Sequence, residues 1–269
     1  MQKRSSRWAE RAFVAEGAEL IRCALDAAVP IESLYVSPDG ADDRAVEEVC
    51  RRAEAAGVRV FPLAAGVLER VADTVTPQPV LAVLPMLEEP GAGTEPWSAR
   101  EGALIVVLVD VRDPGNAGTV LRAADASGSA LVVFAADSVD PYNPKTVRSS
   151  AGSLFHVPLA VRPDARALAT ELSSAGFRTL ATVVRDGEDY AELDWATPSA
   201  VFLGNESSGL PPELTAALSA ALAIPMAGRA ESLNVGVACA VVCFEAFRQR
   251  RGGGAAPRSI AGGDAAPKE

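Results

Sequence analysis

The chain has 269 residues, 49% of them apolar and 22% charged, and a net charge of −10. That is enough for one large domain or two modest ones, each with a proper core. The longest apolar runs, such as residues 103–109, fall far short of the ~18 residues of a membrane span. The polar, basic start (residues 1–11) is followed by no signal-peptide pattern, so no membrane partner is expected. Cys23, Cys50, Cys239 and Cys243 show no framework spacing, which predicts reduced thiols and a cytoplasmic location. The negative charge opposes a grip on nucleic acid by electrostatics alone. It is unevenly spread, however: Lys3, Arg4, Arg7 and Arg11 face a single anion, Glu10, at the start of the chain. An RNA partner would therefore meet this basic start and the arginines of the second half.

In chain order, helical periodicity runs over residues 16–27, a strand over 31–36, a helix over 42–56 stopped by Gly57, and short strands over 58–61 and 80–84. Residues 85–100 hold Pro85, Pro90, Gly91, Gly93 and Pro96 and read as a linker. The aliphatic run 103–109 fits a strand buried on both faces of a parallel sheet. Further strands are expected at 131–134, 154–161, 178–184, 200–203 and 222–224, with helices between most of them, as at 164–175, and a last helix over 232–250. This alternation predicts a three-layer α/β domain with a mostly parallel sheet. The division is 7–85, a linker 86–100, a second domain 101–250, and a Gly-, Ala- and Pro-rich tail 251–269 expected to be disordered.

Three loops after expected strands carry polar groups, and ligands of open α/β sheets bind beyond the carboxyl ends of strands. In Asp113-Pro-Gly-Asn116-Ala-Gly118 the helix that follows bears Arg122, six residues beyond Asn116, which puts both side chains within reach of one cleft. Read alone, the segment is equally a Pro-Gly turn with an exposed arginine. In Gly204-Asn205-Glu206-Ser-Ser-Gly209 two glycines let backbone approach a ligand, while Glu206 would repel an anion and so argues against a phosphate cradle. The third loop runs from Ile224 through Met226 to Ser232, Leu233 and Asn234. One helix cap explains either Ser232 or Asn234, but less readily both. No nicotinamide or Walker glycine pattern occurs, which disfavours a dinucleotide-binding dehydrogenase. With His156 as the single histidine, triads and multi-histidine metal centres are ruled out, and no metal is expected. His156 itself, and the pair Cys239/Cys243 on the last helix, read as structural.

Taken together, Asp113-Pro-Gly-Asn-Ala-Gly-Thr-Val-Leu-Arg122, Asn143-Pro-Lys-Thr-Val-Arg148-Ser-Ser-Ala-Gly152, Phe202-Leu-Gly-Asn-Glu206-Ser-Ser-Gly209 and Ile224-Pro-Met-Ala-Gly-Arg-Ala-Glu-Ser232-Leu-Asn234 resemble the SpoU (TrmH-like) family of the SPOUT methyltransferase superfamily. Residues from about 7 to 85 resemble, more loosely, that family's substrate-binding domain through Phe13-Val-Ala-Glu16-Gly17 and the strand near Leu34.

The resemblance implies an α/β domain whose mostly parallel sheet ends in a C-terminal trefoil knot, preceded by a small L30e-like α/β domain. It implies a homodimer that methylates ribose 2′-hydroxyls of RNA with S-adenosylmethionine. A transfer RNA substrate is less expected than ribosomal RNA, because of the added N-terminal domain. By the same resemblance, Leu203, Gly204, Glu206, Gly209, Ile224, Met226, Leu233 and Asn234 line the cofactor pocket. Asn116, Arg122, Glu206, Ser232 and Asn234 form the catalytic set, and Arg4, Arg7, Arg11, Arg122, Lys145 and Arg148 meet RNA. A guanidinium is protonated at neutral pH, so Arg122 is expected to hold phosphate and steady alkoxide charge rather than to act as a base. The competing readings are a SPOUT enzyme that methylates a base nitrogen and a non-catalytic RNA-binding protein on the same scaffold.

Overall fold

The computed structural model describes residues 3–71, 77–90, 99 and 101–252. Its helices are α1 (Arg4–Glu10), α2 (Ala18–Asp26), α3 (Arg44–Ala55), α4 (Leu68–Val71), α5 (Pro114–Ser127), α6 (Pro144–Ser149), α7 (Ala165–Ser174), α8 (Pro212–Thr215) and α9 (Val235–Gly252). Its strands are β1 (Ala12–Glu16), β2 (Ser33–Val36), β3 (Arg59–Pro62), β4 (Val80–Pro85), β5 (Leu104–Val109), β6 (Leu131–Ala135), β7 (Leu159–Arg162), β8 (Arg178–Val183), β9 (Glu188–Asp189), β10 (Ser199–Leu203) and β11 (Ala220–Ala223).

The chain divides into two compact units, one of residues 1–87 with 140–156, the other of 88–139 with 157–269. This differs from a linear division at 85–100, because the segment between β6 and β7 groups with the N-terminal residues. Most of the expected linker, and the tail beyond Gly252, lie outside the described residues.

The first unit holds a four-stranded sheet in the order β1-β4-β2-β3. Strand β1 is a correction to the expected helix 16–27: Phe13 and Ala15 are fully buried and pair with Leu84 and Ala82 of β4, and the helix begins only at Ala18, after Gly17 turns the chain with φ 100°. Pairing along β1 draws Glu16 out of the helical pattern it fits by periodicity. A second correction concerns residues 154–158. These form no strand, because Gly152 at φ 93° opens a 3-10 turn, Ser153–Phe155, and β7 starts only after Pro158.

A buried ion pair closes this unit. Arg7 donates from Nε and Nη2 to Asp140 Oδ2 at 2.8 and 2.5 Å, both side chains are at most 3% exposed, and Asp140 Oδ1 accepts the Tyr142 amide. Around the pair, Tyr142 packs between Phe13 and Trp8 at ring separations of 4.8 and 6.3 Å. Arg7 is therefore a structural anchor, which corrects its expected place on an RNA-binding surface.

The second unit holds a seven-stranded sheet, β7-β6-β5-β10-β8-β11-β9, in which every pairing is parallel. All six residues of β5 are buried, as befits a central strand covered on both faces. One face, with Ile105, Val107, Val133 and Phe202, packs against Leu168 and Leu172 of α7. The other face lies toward the packed pair α5 and α9. At the last turn of α9, buried Arg250 donates to the carbonyls of Gly102, Ala246 and Ser127. Burial holds this guanidinium below its ordinary pKa, and three carbonyl acceptors take the place of a counter-ion.

Removing one partner of a buried ion pair leaves an uncompensated charge, at a cost of about 3–5 kcal/mol. Asp140→Ala is expected to lower the unfolding free energy by about that amount. The double variant Arg7→Met/Asp140→Leu should regain most of it, as read from urea denaturation curves.

Candidate active site

The site lies at the carboxyl ends of β5, β10, β8 and β11, neighbours in the sheet. Strand order reverses here: β6 and β7 lie on one side of β5, whereas β10, β8 and β11 lie on the other. Such a switch point leaves a crevice between diverging loops.

Loop 110–113 follows β5. Asp113 caps α5, accepting the Asn116 amide on Oδ1, and Pro114 occupies the first helical position, where its missing N–H costs nothing. Capping fixes Asn116 in the first turn. Loop 204–209 follows β10 and folds on itself through reciprocal Asn205–Gly209 backbone bonds of 3.1 and 2.9 Å. A Cβ on Gly204 would lie 2.2 Å from the Gly209 carbonyl carbon, so no side chain fits there. Asn205 completes the loop. Its Oδ1 accepts the Ser207 and Ser208 amides, and its Nδ2 donates to the Asp110 carbonyl at 2.8 Å. The third loop follows β11 and ends at Asn234, which caps α9 by accepting the Gly236 and Val237 amides on Oδ1.

Side chains from all three loops form one hydrogen-bonded chain. Asn234 Nδ2 donates to Asn116 Oδ1 at 2.8 Å, and Asn116 Nδ2 donates to Glu206 Oε1 at 2.9 Å. Glu206 also accepts the amides of Asp113 (3.2 Å) and Arg112 (3.4 Å). Burial pushes the Glu206 carboxyl up, but the bond from Asn116 and the backbone donors outweigh it and hold the group below the usual glutamate range. Its charge is thus spent on tying the first loop to the second.

Next to this chain opens a cavity of about 480 Å³, lined by Leu203, Gly204, Glu206, Gly209, Ile224, Met226, Ser232, Leu233 and Asn234, together with Thr182, Val183, Val184 and Leu222. Its size falls in the range of small-molecule sites. Its wall combines apolar side chains with backbone groups of the two loops, a mixture suited to an adenine ring and a ribose with few charged contacts.

The eight residues expected at a cofactor pocket thus share one wall. Of the expected catalytic set, Asn116, Glu206 and Asn234 are hydrogen-bonded together, and Ser232 lines the cavity. Ser232 caps nothing in α9; Asn234 has that role alone. Arg122 lies apart, exposed on α5 with no hydrogen bond or ion pair among the described residues. Six residues of helix separate it from Asn116 by about 9 Å along the axis and about 120° around it, and it is not among the residues that line the cavity. Of the expected RNA-binding residues, Arg4, Arg11 and Lys145 are exposed, and Arg148 pairs with Glu16 at 3.5 Å.

Two contributors escaped the sequence reading. Asn205 was legible as the first residue of an Asn-x-Ser-Ser turn. The lining residues 182–184 carry no motif and enter only because β8 lies beside β10.

The sequence profile described as the SpoU rRNA Methylase family matches residues 103–244, and that of the MRM3-like substrate binding domain matches residues 1–82. The 23S rRNA (guanosine(2553)-2′-O)-methyltransferase RlmP of Bacillus subtilis is 34% identical over 233 residues, covering 86% of this chain and 87% of that one. Among solved structures, the AdoMet-bound rRNA methyltransferase of Sinorhizobium meliloti superposes with a TM-score of 0.79 at 33% identity, covering 92% and 91% of the two chains. The SpoU methyltransferase AviRb of Streptomyces viridochromogenes, in complex with AdoMet, superposes with a TM-score of 0.81 at 28% identity, covering 93% and 94%. With the first of these profiles spanning more than half of the chain and the Bacillus subtilis relative 34% identical over 86% of it, the chain belongs to the SpoU rRNA methylase family.

Proposed function

We propose that this protein is an S-adenosylmethionine-dependent RNA methyltransferase that acts on a ribose 2′-hydroxyl, with ribosomal RNA as its substrate. One observation carries the reading: the hydrogen-bonded chain Asn234–Asn116–Glu206 stands beside a switch-point cavity lined by the loops after β10 and β11. When bound, S-adenosylmethionine supplies an electrophilic methyl carbon. The backbone of 204–209 and the side chains of Ile224, Met226 and Leu233 would hold it. Asn116 and Asn234, each fixed at a helix start, orient the polar rim of the cavity, and Glu206 keeps the rim in place. Positioning of this kind is a large source of rate enhancement. Arg122, exposed and outside the cavity wall of its own subunit, would meet the substrate across the interface of the homodimer, its protonated guanidinium facing the RNA backbone and the alkoxide charge developing on the sugar oxygen.

The same reading extends to features that rest on family membership, a C-terminal trefoil knot, an L30e-like first domain reaching to about residue 85 and a homodimer, and to a cytoplasmic location, which rests on four cysteines without framework spacing. For the dimer, α9 offers support of its own. Val237 and Phe244 are about half exposed, with Val241 and Phe247 partly exposed on neighbouring turns, which is an apolar strip on a helix that would otherwise be wet.

Three outcomes are expected. In a methyl-transfer assay on ribosomal RNA, Arg122→Ala should lose more than a hundredfold in rate with cofactor affinity within about twofold of the parent, whereas Asn234→Ala should weaken both; full activity of Arg122→Ala would remove that residue from the mechanism. The product should contain a nuclease-resistant dinucleotide, and a methylated base nitrogen would overturn the ribose assignment.

Because the folded-state pKa of Glu206 lies below its unfolded value, the tie it makes is fully present above the ordinary glutamate pKa and is lost as pH falls through the depressed value. Cofactor affinity measured by calorimetry should therefore hold steady down to about pH 4.3 and fall only below it, and Glu206→Gln should abolish that acid dependence.

Phe244→Glu should convert a dimer to a monomer in sedimentation velocity. An unchanged sedimentation coefficient would remove α9 from the interface.

A further inference from the structure

The four-stranded sheet of the first unit has two unlike faces. Phe13, Ala15, Leu34, Ala82 and Leu84 make one of them, and all are fully buried. On the other, Val14, Val83 and Tyr35 are partly exposed and Phe61, on edge strand β3, is 37% exposed. A sheet with one face on its core ordinarily sets polar residues on the open face. Here most of the positions that meet water are aliphatic or aromatic.

Strand register orders this face into a row: Glu16 pairs with Leu81, Leu81 with Tyr35, and Tyr35 with Phe61. The Tyr35 and Phe61 rings stack at 5.4 Å with planes 21° apart. Arg59, two residues before Phe61 on the same face, places its guanidinium 5.6 Å from the centre of the Phe61 ring. At the far end of the row, about 14 Å away across four strands, Arg148 meets Glu16 with its side chain 39% exposed.

A stacked cross-strand aromatic pair stabilises a sheet wherever it occurs. Three things set this one apart: its place at an open edge, the apolar neighbours on the wet face, and a cation at each end of the row. We propose that this face is a landing site for unpaired RNA bases. A base stacks against the Tyr35–Phe61 pair, and Arg59 meets a flanking phosphate. The proposal rests on the reading of the protein as an enzyme acting on RNA, and places a single-stranded part of that substrate on the first unit. It also fits the charge: with a net charge of −10, the protein gains little from a general electrostatic field, whereas stacking is sequence-tolerant and needs few phosphate contacts.

The test uses the full chain and an unstructured single-stranded oligoribonucleotide, compared with the same sequence as a duplex. Phe61→Leu and Tyr35→Leu keep apolar bulk but remove the π face. Each is expected to weaken single-strand binding about five- to hundredfold, with duplex binding and S-adenosylmethionine affinity unchanged, while Phe61→Trp and Tyr35→Phe restore it. Ultraviolet crosslinking of the unaltered protein, mapped by mass spectrometry, should label Tyr35 or Phe61 and so does not depend on how the variants fold. Wild-type single-strand affinity in both leucine variants, or crosslinks confined to other residues, would overturn the proposal. A failure of the enzyme reading shows separately, as absence of S-adenosylmethionine binding by the parent protein.

Discussion

The carboxylate of Glu206 is the constraint on which the candidate site depends. It joins loops 90 or more residues apart in sequence, and Asn116 passes the connection on to Asn234, 118 residues further along. Ordering loops so distant costs conformational entropy at every residue fixed. A carboxylate that accepts three donors at once meets part of that cost with charge-assisted bonds, which are roughly twice as strong as neutral ones. Its depressed pKa is the titration counterpart of the same bonds. An acceptor tied in this way is a poor proton carrier and a good fixture, so Glu206 belongs to the architecture of the rim rather than to proton transfer.

The fixture works because the parallel sheet has already delivered the loop starts to one edge. β5, β10, β8 and β11 are neighbours that all run the same way, so their carboxyl ends open on the same side. Helix starts then set the polar groups. Asp113 and Asn234 are caps as well as members of the site, and a cap has one geometry relative to its helix. Loop 204–209 is held by the side-chain bonds of Asn205 and by the closeness that Gly204 permits. Rigid elements thus carry the asparagines, and a self-bonded loop carries the backbone that faces the cavity.

The first unit uses cations in two ways. Arg7, sealed against Asp140, contributes to stability and is withdrawn from solvent. Arg59 lies over an exposed ring, and Arg148 makes a partly exposed pair. Lys145 and Arg148 stand in sequence among residues of the second half, yet the segment 140–156 is grouped with the N-terminal unit. A protein with a net charge of −10 has no general basic field to hold RNA, so a few well-placed cations and an aromatic face suit that partner better.

Much of this was legible in the residues. The aliphatic run 103–109 announced a central parallel strand because a strand covered on both faces has no polar alternation to show. The helix at 164–175 was expected from its pattern, and the three loops stood out because each sets polar groups just after an expected strand, where ligands of open α/β sheets bind. What depended on tertiary structure was partnership. Periodicity assigned Glu16 to a helix, and only pairing with β4 made it a strand residue. Arg7 looked like a surface cation until Asp140, 133 positions away, buried it. The six-residue spacing from Asn116 to Arg122 suggested one shared cleft, whereas the folded cavity leaves Arg122 outside its wall. Local preference and hydrophobic pattern are written residue by residue and so survive in the sequence. Which charge meets which carboxylate is decided by long-range packing, and no single segment of the chain contains it.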